Sequence, residues 1–323
     1  MADQRSVIYR NMCTMLDAGL DILRVFKLVN QGLKGRYGRI WRRLERAVTA
    51  GSSISDGMKE QSKSFEKIDI SMVAAAERSG NLPKVLELLS NWYEFRHRII
   101  TKILSGLIFP IFILNIAAFV FPVPDLVLGD IDGSGYFSAV WATLKIYYVP
   151  AACILVILYM RKKISILGYV LDYLVLWIPA LGKGVYNLSL SMYARSFYMF
   201  CSAGLGAIET AETATELTGN FFVKSLVKGG GAAVRGGKNA SEGFNAEQLP
   251  AEFMDLWRVG EESGTMDKVS LKLADLTAER AEFWFSCFAT WLPKIVYALV
   301  CIKIIMLIFK RFGALSGGLG VEF

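Results

Sequence analysis

A glycine-rich, basic run from Lys228 to Lys238 contains residue types that could bind phosphate. A phosphate-cradling P-loop would need glycine where Ala232 stands and serine or threonine where Asn239 stands. It would also need a preceding strand, and none is predicted. The run therefore does not match a nucleotide-binding loop, and its glycines predict a flexible connection between helices.

Two glutamates, Glu77 and Glu261, occur in similar surroundings and are the most distinctive acidic residues. Each is predicted in the last turn of a helix, where a carboxylate opposes the helix dipole at a cost of about 0.3–1 kcal/mol. One explanation is local: the carboxylate accepts from free N–H groups of the next helix, near Leu82 or Thr265. The other is a contact between two parts of the chain or with a partner protein.

Other residues give little support for catalysis or metal binding. The five cysteines show no CxxC spacing and His97 is the single histidine, so we expect neither disulfides nor a zinc site. The acids Glu209, Glu212 and Glu216 recur at helical spacing and predict a solvated face. We expect no catalytic residue, no cofactor and no enzymatic activity.

An internal repeat organises the elements around the two glutamates. Landmarks in the first half recur 183–186 residues later. The matched landmarks are Ala18-Gly19 with Ala203-Gly204, Gly51 with Gly237, Glu77 with Glu261, Gly80 with Gly264, and Pro110 with Pro293. The glycines and the cap residues between them divide each copy into short helices, so the repeat predicts two homologous six-helix bundles.

Long apolar runs place the chain among membrane proteins. The hydrophobic fraction is 54% and the mean hydropathy is +0.39. Residues 103–124, 144–160 and 291–309 are predicted transmembrane helices, and 161–190 an amphipathic or linker segment. Basic residues flank the first two spans on one side, so bundles 1–102 and 191–290 are predicted to be cytoplasmic. The loop 125–143 and the tail 310–323 would then be periplasmic.

The predicted fold is therefore an all-α membrane protein with two homologous cytoplasmic bundles and about three transmembrane helices. This arrangement resembles the type II secretion F family, the inner-membrane platform proteins of type II secretion and type IV pilus machines. The Ala-Gly-Leu turns, the Glu-x-Ser-Gly stops and the proline-containing spans carry the resemblance. Pro179 and Gly182 also resemble a Pro-x-x-Gly element that precedes the family's second module.

The resemblance implies a platform in the bacterial inner membrane that docks a hexameric secretion ATPase and contacts pilin or pseudopilin subunits. It also implies other inner-membrane assembly proteins and membrane lipid as partners, and a homo-oligomer. No nucleic-acid partner is expected. A small transporter or channel is the alternative, but few spans and no paired broken helices are predicted.

Charge suggests where two of these partners bind. Residues 1–102 contain 18 basic and 11 acidic residues, a balance of +7. Arg39, Arg42, Arg43 and Arg46 share one helical side and form a candidate ATPase-docking surface. Anionic lipid or plain solvent are the alternatives for this surface.

Lys303 lies inside the third predicted span, where a lysine costs at least about 2.5 kcal/mol. The family resemblance implies pilin subunits with an acidic residue in their apolar segment, which makes Lys303 the candidate pilin contact. Snorkelling of its long side chain to the membrane surface is the simpler explanation.

Overall fold

The computed structural model describes residues 4–127, 129, 131–161 and 165–318. Within these ranges the chain forms helices and turns and contains no strand, which confirms the predicted all-α class. The chain divides into two compact units. The first comprises Met1–Ile100 with Val185–Ala281, and the second comprises Thr101–Gly184 with Glu282–Phe323.

Fifteen α-helices and one 3₁₀ turn make up the described chain. Up to the second predicted span they are α1 (Gln4–Asp17), α2 (Ile22–Gly32), α3 (Gly35–Thr49), α4 (Ile54–Glu60), α5 (Lys67–Ser79), α6 (Leu82–Val120), α7 (Val123–Val127) and α8 (Gly133–Arg161). The remainder are α9 (Ser165–Leu176), α10 (Leu181–Ser202), α11 (Ala207–Glu216), α12 (Phe221–Val227), α13 (Gly229–Arg235), the 3₁₀ turn Ala240–Gly243, α14 (Ala251–Ser263) and α15 (Met266–Gly318).

Local cap chemistry explains where several helices begin. The side chain of Asp21 accepts from the N–H of Leu23 at 3.0 Å and so caps α2. Ser53 accepts from the N–H of Asp56 at 3.0 Å at the start of α4. The carboxylate of Asp56 pairs with Lys59 and does not accept from the backbone of Ser53, so this cap is half of a capping box.

The two Ala-Gly-Leu turns have the same hydrogen bonding. Gly19 and Gly204 have φ of 80° and 81°, the left-handed region that glycine adopts without strain. The next residue, Leu20 or Leu205, donates its N–H to the carbonyl five residues back at 3.1 Å in both turns. This bond satisfies a carbonyl at the end of the preceding helix. Gly51 and Gly237 also have positive φ, 93° and 75°, and each is followed by an equivalent bond of 3.0 Å.

Aromatic side chains fill the core of the first unit. Tyr9 packs against Trp41 and Tyr93, with ring centroids 5.8 and 5.9 Å apart. Among residues 185–281, Trp257 is fully buried and packs against four aromatic rings, two of which are Tyr193 and Phe197. Burying an aromatic side chain contributes on the order of 2–3 kcal/mol, so these clusters account for much of the packing energy.

The glycine-rich run is not the flexible connection predicted from its composition, since residues Gly229–Arg235 form α13. A Cβ added at Gly229 would lie 2.0 Å from the carbonyl oxygen of Gly243. One added at Gly230 would lie 2.5 Å from the ring of Phe244. The glycines are therefore needed because α13 packs tightly against the following turn, and this requirement cannot be seen from composition.

In the second unit, the Pro179–Gly182 element forms a tight turn at the start of α10. The N–H of Leu181 donates to the carbonyl of Pro179 at 2.7 Å. A Cβ at Gly182 would lie 2.2 Å from the carbonyl oxygen of Leu176, so the turn has no space for a side chain at this position.

One helical segment among the described residues, Leu82–Val127, is long and apolar enough by length and composition to cross a membrane, with a mean hydropathy of 2.4 in its most apolar window. It includes the first predicted span and Pro110. The other two predicted spans lie within the helices α8 and α15, and Pro293 lies inside α15. Their membrane crossing stays a prediction, and most of the tail 310–323 lies outside the described side chains.

We expect Gly264→Ala to destabilise the protein, because Gly264 ends α14 with φ of 66°. An L-residue in this region costs about 1–2 kcal/mol, and no neighbouring atom lies within 4 Å of an added Cβ, so the cost comes from the backbone alone. The measurement is denaturant unfolding of the detergent-purified chain. Gly32→Ala is the matched control, since its added Cβ also meets open space but its φ is not positive. Equal stability of the two variants would contradict the prediction.

Candidate functional site

Glu77 binds the beginning of a helix that precedes it in the chain. Its carboxylate accepts from the backbone N–H groups of Ile54 and Ser55, at 2.5 and 3.1 Å. These are first-turn N–H groups of α4, which have no partner within their own helix. The C-terminal end of α5 therefore provides a charged cap for the N-terminal end of α4.

Glu261 makes the corresponding contact in the second half of the chain. It accepts from the N–H of Ser241 at 3.2 Å and from the hydroxyl of the same serine at 2.5 Å. The indole N–H of Trp257 donates to it as well, at 3.1 Å. Glu261, near the end of α14, thus caps the 3₁₀ turn Ala240–Gly243, just as Glu77, near the end of α5, caps α4.

The next-helix explanation offered for the glutamates is wrong, whereas a contact with a partner protein stays a hypothesis. The donors lie 20–23 residues upstream instead of in the next helix, and they belong to the same part of the chain. The reason is geometric: two consecutive helices joined by a short loop lie antiparallel, so the end of the second is beside the start of the first. The positive end of α4 offsets the unfavourable dipole of α5 at Glu77.

The four arginines predicted to dock an ATPase lie together on the exposed side of α3. Arg39, Arg42, Arg43 and Arg46 are all exposed and line one shallow groove, with Lys27 on its edge. The guanidinium groups of Arg42 and Arg46 donate to backbone carbonyls one turn back in α3, at 2.9 and 3.3 Å. In the described part of the chain none of the four forms an ion pair with a carboxylate, so their charge faces outward.

A buried polar network in the first unit is not predicted from the sequence. Arg5 of α1 donates to Glu66 at 3.2 Å and to the hydroxyl of Tyr93 at 2.8 Å. That hydroxyl donates to Asp69 at 2.9 Å, and Arg96 donates to Glu66 at 2.7 Å. The network joins α1, α5 and α6. Its one sequence signal is the spacing of Glu66 and Asp69, which form a capping box at the start of α5.

Asp69 has the most unusual environment in this network, since its side chain is fully buried. Burial raises the pKa of Asp69 to about 6. Hydrogen bonds from the backbone of Glu66 and from Tyr93 favour the charged carboxylate and partly offset this rise. Its closest cation is Arg5, 3.8 Å away. The carboxylate is thus held by three helices and has no opening to a substrate, which indicates a structural role.

The structure does not bring the other candidate residues into one site. Ala18, Gly19, Gly51 and Gly80 end helices of the first half, and Ala203, Gly204, Gly237 and Gly264 end helices of the second. Lys303 lies in α15, but its side chain is outside the described ones. No group of His, Cys, Asp and Glu side chains that could hold a metal is found among the residues that the structure describes.

A known protein-family model matches the first part of the chain. Residues 8–124 match the family model "Type II secretion system (T2SS), protein F". This range begins in α1 and ends with the first predicted span, and it contains both the Glu77 cap and the four arginines.

Curated relatives extend the similarity over most of the chain. The type IV pilus assembly protein PilC of Pseudomonas aeruginosa is 21% identical over 90% of this chain and 83% of its own length. The type II secretion system protein F of Vibrio cholerae is 25% identical over 84% of this chain and 71% of its own length. The PilC protein of Thermus thermophilus is 23% identical, with the same coverage. These findings confirm the resemblance inferred from the repeated landmarks.

Replacing Glu261 should destabilise the protein more than replacing its neighbour. Glu261→Ala leaves the N–H of Ser241 and the indole of Trp257 without their acceptor, at a cost of about 1–3 kcal/mol. Thermal unfolding of the detergent-purified chain, followed by circular dichroism, measures the effect. Glu262→Ala is the matched control, because Glu262 is exposed on the same helical turn. If both variants unfold at the wild-type temperature, the cap has no energetic importance.

Proposed function

We propose that this homologue of type II secretion system protein F and of PilC proteins is the inner-membrane platform of a type IV pilus or type II secretion machine. The observation that carries the proposal is the similarity to proteins of these two names over most of the chain, with a family domain at residues 8–124. In this role the protein does no chemistry of its own. It docks a cytoplasmic hexameric ATPase and couples it to the extraction of pilin or pseudopilin subunits from the membrane.

The proposed architecture has two homologous six-helix modules, residues 1–102 and 191–290. Three paired features support the duplication: the Ala-Gly-Leu turns with equal hydrogen bonds, the positive-φ glycines Gly51 and Gly237, and the two carboxylate caps. Equivalent backbone bonding with different side chains is what a diverged internal repeat would retain.

The proposed topology places both modules in the cytoplasm and spans at 103–124, 144–160 and 291–309. The apolar segment Leu82–Val127 supports the first span. The basic residues Arg96, Arg98 and Lys102 precede it, whereas Asp125 and Asp132 follow it, which fits the positive-inside rule. Oligomerisation and contacts with other inner-membrane assembly proteins belong to the same proposal.

The proposed ATPase-docking surface is the exposed arginine side of α3. The groove along this side is lined by five basic residues and one acid, Glu45, so a net positive charge remains to attract an acidic partner surface. Exposed charges of this kind act mainly on the association rate and are screened by salt within about 10 Å at 0.1 M. The surface should therefore bind its partner in a salt-dependent way.

Reversing two of these charges should weaken ATPase binding. We expect Arg42→Glu with Arg46→Glu to lower the affinity for the cognate secretion ATPase at least tenfold, by replacing attraction with repulsion. The measurement is co-purification and biolayer interferometry at low and high salt. The control is Lys238→Glu with Lys272→Glu, the same charge change on exposed lysines of the second half. Unchanged ATPase binding by the charge-reversed variant would show that this surface does not dock the ATPase. If that variant lost only its binding to anionic liposomes, the surface would be a lipid-binding one.

Lys303 remains the proposed contact for an acidic group in the apolar segment of a pilin subunit. Lys303→Arg keeps a positive charge at membrane depth, and Lys303→Leu removes it. We expect both variants to insert and to bind the ATPase, and only the arginine variant to assemble fibres or secrete. The readouts are membrane fractionation, co-purification and fibre assembly. If the Lys303→Leu variant inserts stably and still assembles normal fibres, the pilin contact is rejected and snorkelling explains the presence of the lysine.

A further inference from the structure

A cleft of about 620 Å³ lies in the first unit between α5 and the helices α11–α13. It is separate from the arginine side of α3 and from the two carboxylate caps. Cavities of roughly 300–1,000 Å³ are typical for small-molecule ligands, so this cleft is large enough for one. Its walls come from both halves of the chain, and a ligand would contact both.

The carboxylates in the cleft are already neutralised. Glu216 accepts from Lys224 at 2.9 Å and lies 3.9 Å from Lys67, and the hydrogen bond from Lys224 is the main cause that lowers the pKa of Glu216. Glu212 is paired with Arg235. These acids were predicted to form a solvated face; they are exposed but engaged in ion pairs.

The basic groups outnumber the acids around the cleft. Lys67, Lys224, Lys228 and Arg235 line the cleft together with Glu212 and Glu216, so the net formal charge of these groups is +2. Lys228 is exposed and forms no ion pair with another described residue. Lys67 also has a loosely held side chain, 82% exposed, because its single carboxylate contact is long. Both lysines can therefore turn toward a bound anion at little cost.

Apolar side chains also line the cleft, beside the polar residues Ser71, Thr213 and Thr215. Ile70 of α5, Leu217 after α11 and Ala232 of α13 line it between the charged groups. A Cβ at Gly231 would lie 2.7 Å from the side chain of Glu212, so α13 packs directly on that glutamate and keeps it at the wall. Apolar side chains beside a cationic edge suit a ligand that has a flat, weakly polar part and a phosphate part.

We propose that this cleft binds a nucleoside phosphate. The phosphate groups lie between Lys67 and Lys228, in a cleft with two more basic than acidic side chains, and the base covers Ile70 and Leu217. This binding goes beyond the platform role and does not depend on it. Because Lys67 belongs to the first half and Lys228 to the second, the ligand would also hold the two halves together and raise the unfolding temperature.

Calorimetric titration of the full chain in detergent, without divalent metal, tests the proposal. We expect ADP to bind saturably, and adenosine and inorganic pyrophosphate at least tenfold more weakly, because each lacks one of the two recognised parts. ADP should also raise the unfolding temperature. No saturable binding of ADP, pyrophosphate binding as tight as ADP, or equal binding of an acidic peptide would overturn the assignment.

Variants locate the binding. Lys67→Gln with Lys228→Gln should weaken ADP binding at least tenfold, and Ala232→Asp, which adds a negative charge to the lining of the cleft, should do the same. Lys268→Gln with Lys272→Gln, exposed lysines outside the cleft, is the matched control and should bind like wild type. ADP binding that survives both cleft variants would overturn the proposal. ATPase docking is measured separately with the arginine variants of α3, so either proposal can fail alone.

Discussion

The structure depends on a carboxylate at the end of one helix that satisfies the N–H groups at the start of the helix before it. Glu77 and Glu261 both do this, and both end a helix that glycine then terminates in the left-handed conformation. A helix as short as α4 has marginal stability alone, since nucleation is costly and its first N–H groups are unpaired. Glu77 of α5 provides an acceptor for these N–H groups, and the contact fixes the angle between the two helices.

The two halves share similar caps and aromatic packing, but their polar interiors differ. In the first half, Arg5, Asp69 and Tyr93 form a buried polar network between α1, α5 and α6. In the second half, the aromatic cluster around Trp257 fills the core. A buried ionic network must be fully hydrogen-bonded to be tolerated, and it specifies one arrangement of its helices. An aromatic cluster is stabilised mainly by the surface area that its rings bury, so small shifts of the rings are tolerated more easily.

The functional proposals follow from this division between frame and surface. The carboxylates of the two caps are occupied by donors of the chain itself. Charges that are not balanced internally remain on the outer side of α3 and in the cleft beside α5. Such charges act in association rather than in catalysis, which agrees with a protein that binds partners. The apolar segment Leu82–Val127 adds the membrane to these partners under the proposed role.

The sequence by itself determined the helical class, the repeated glycine turns and the resemblance to the type II secretion F family. These features depend on residues close together in the chain: a cap and its N–H groups, or a glycine and its own φ. The tertiary structure decided which N–H groups Glu77 and Glu261 bind, because their donors are 20–23 residues away and come close through helix packing. It also decided that Gly229 and Gly230 serve a tight contact in α13, since their limiting neighbours, Gly243 and Phe244, are distant in sequence. Local chemistry can be read along the chain, whereas a requirement set by a distant neighbour exists only once the helices have packed.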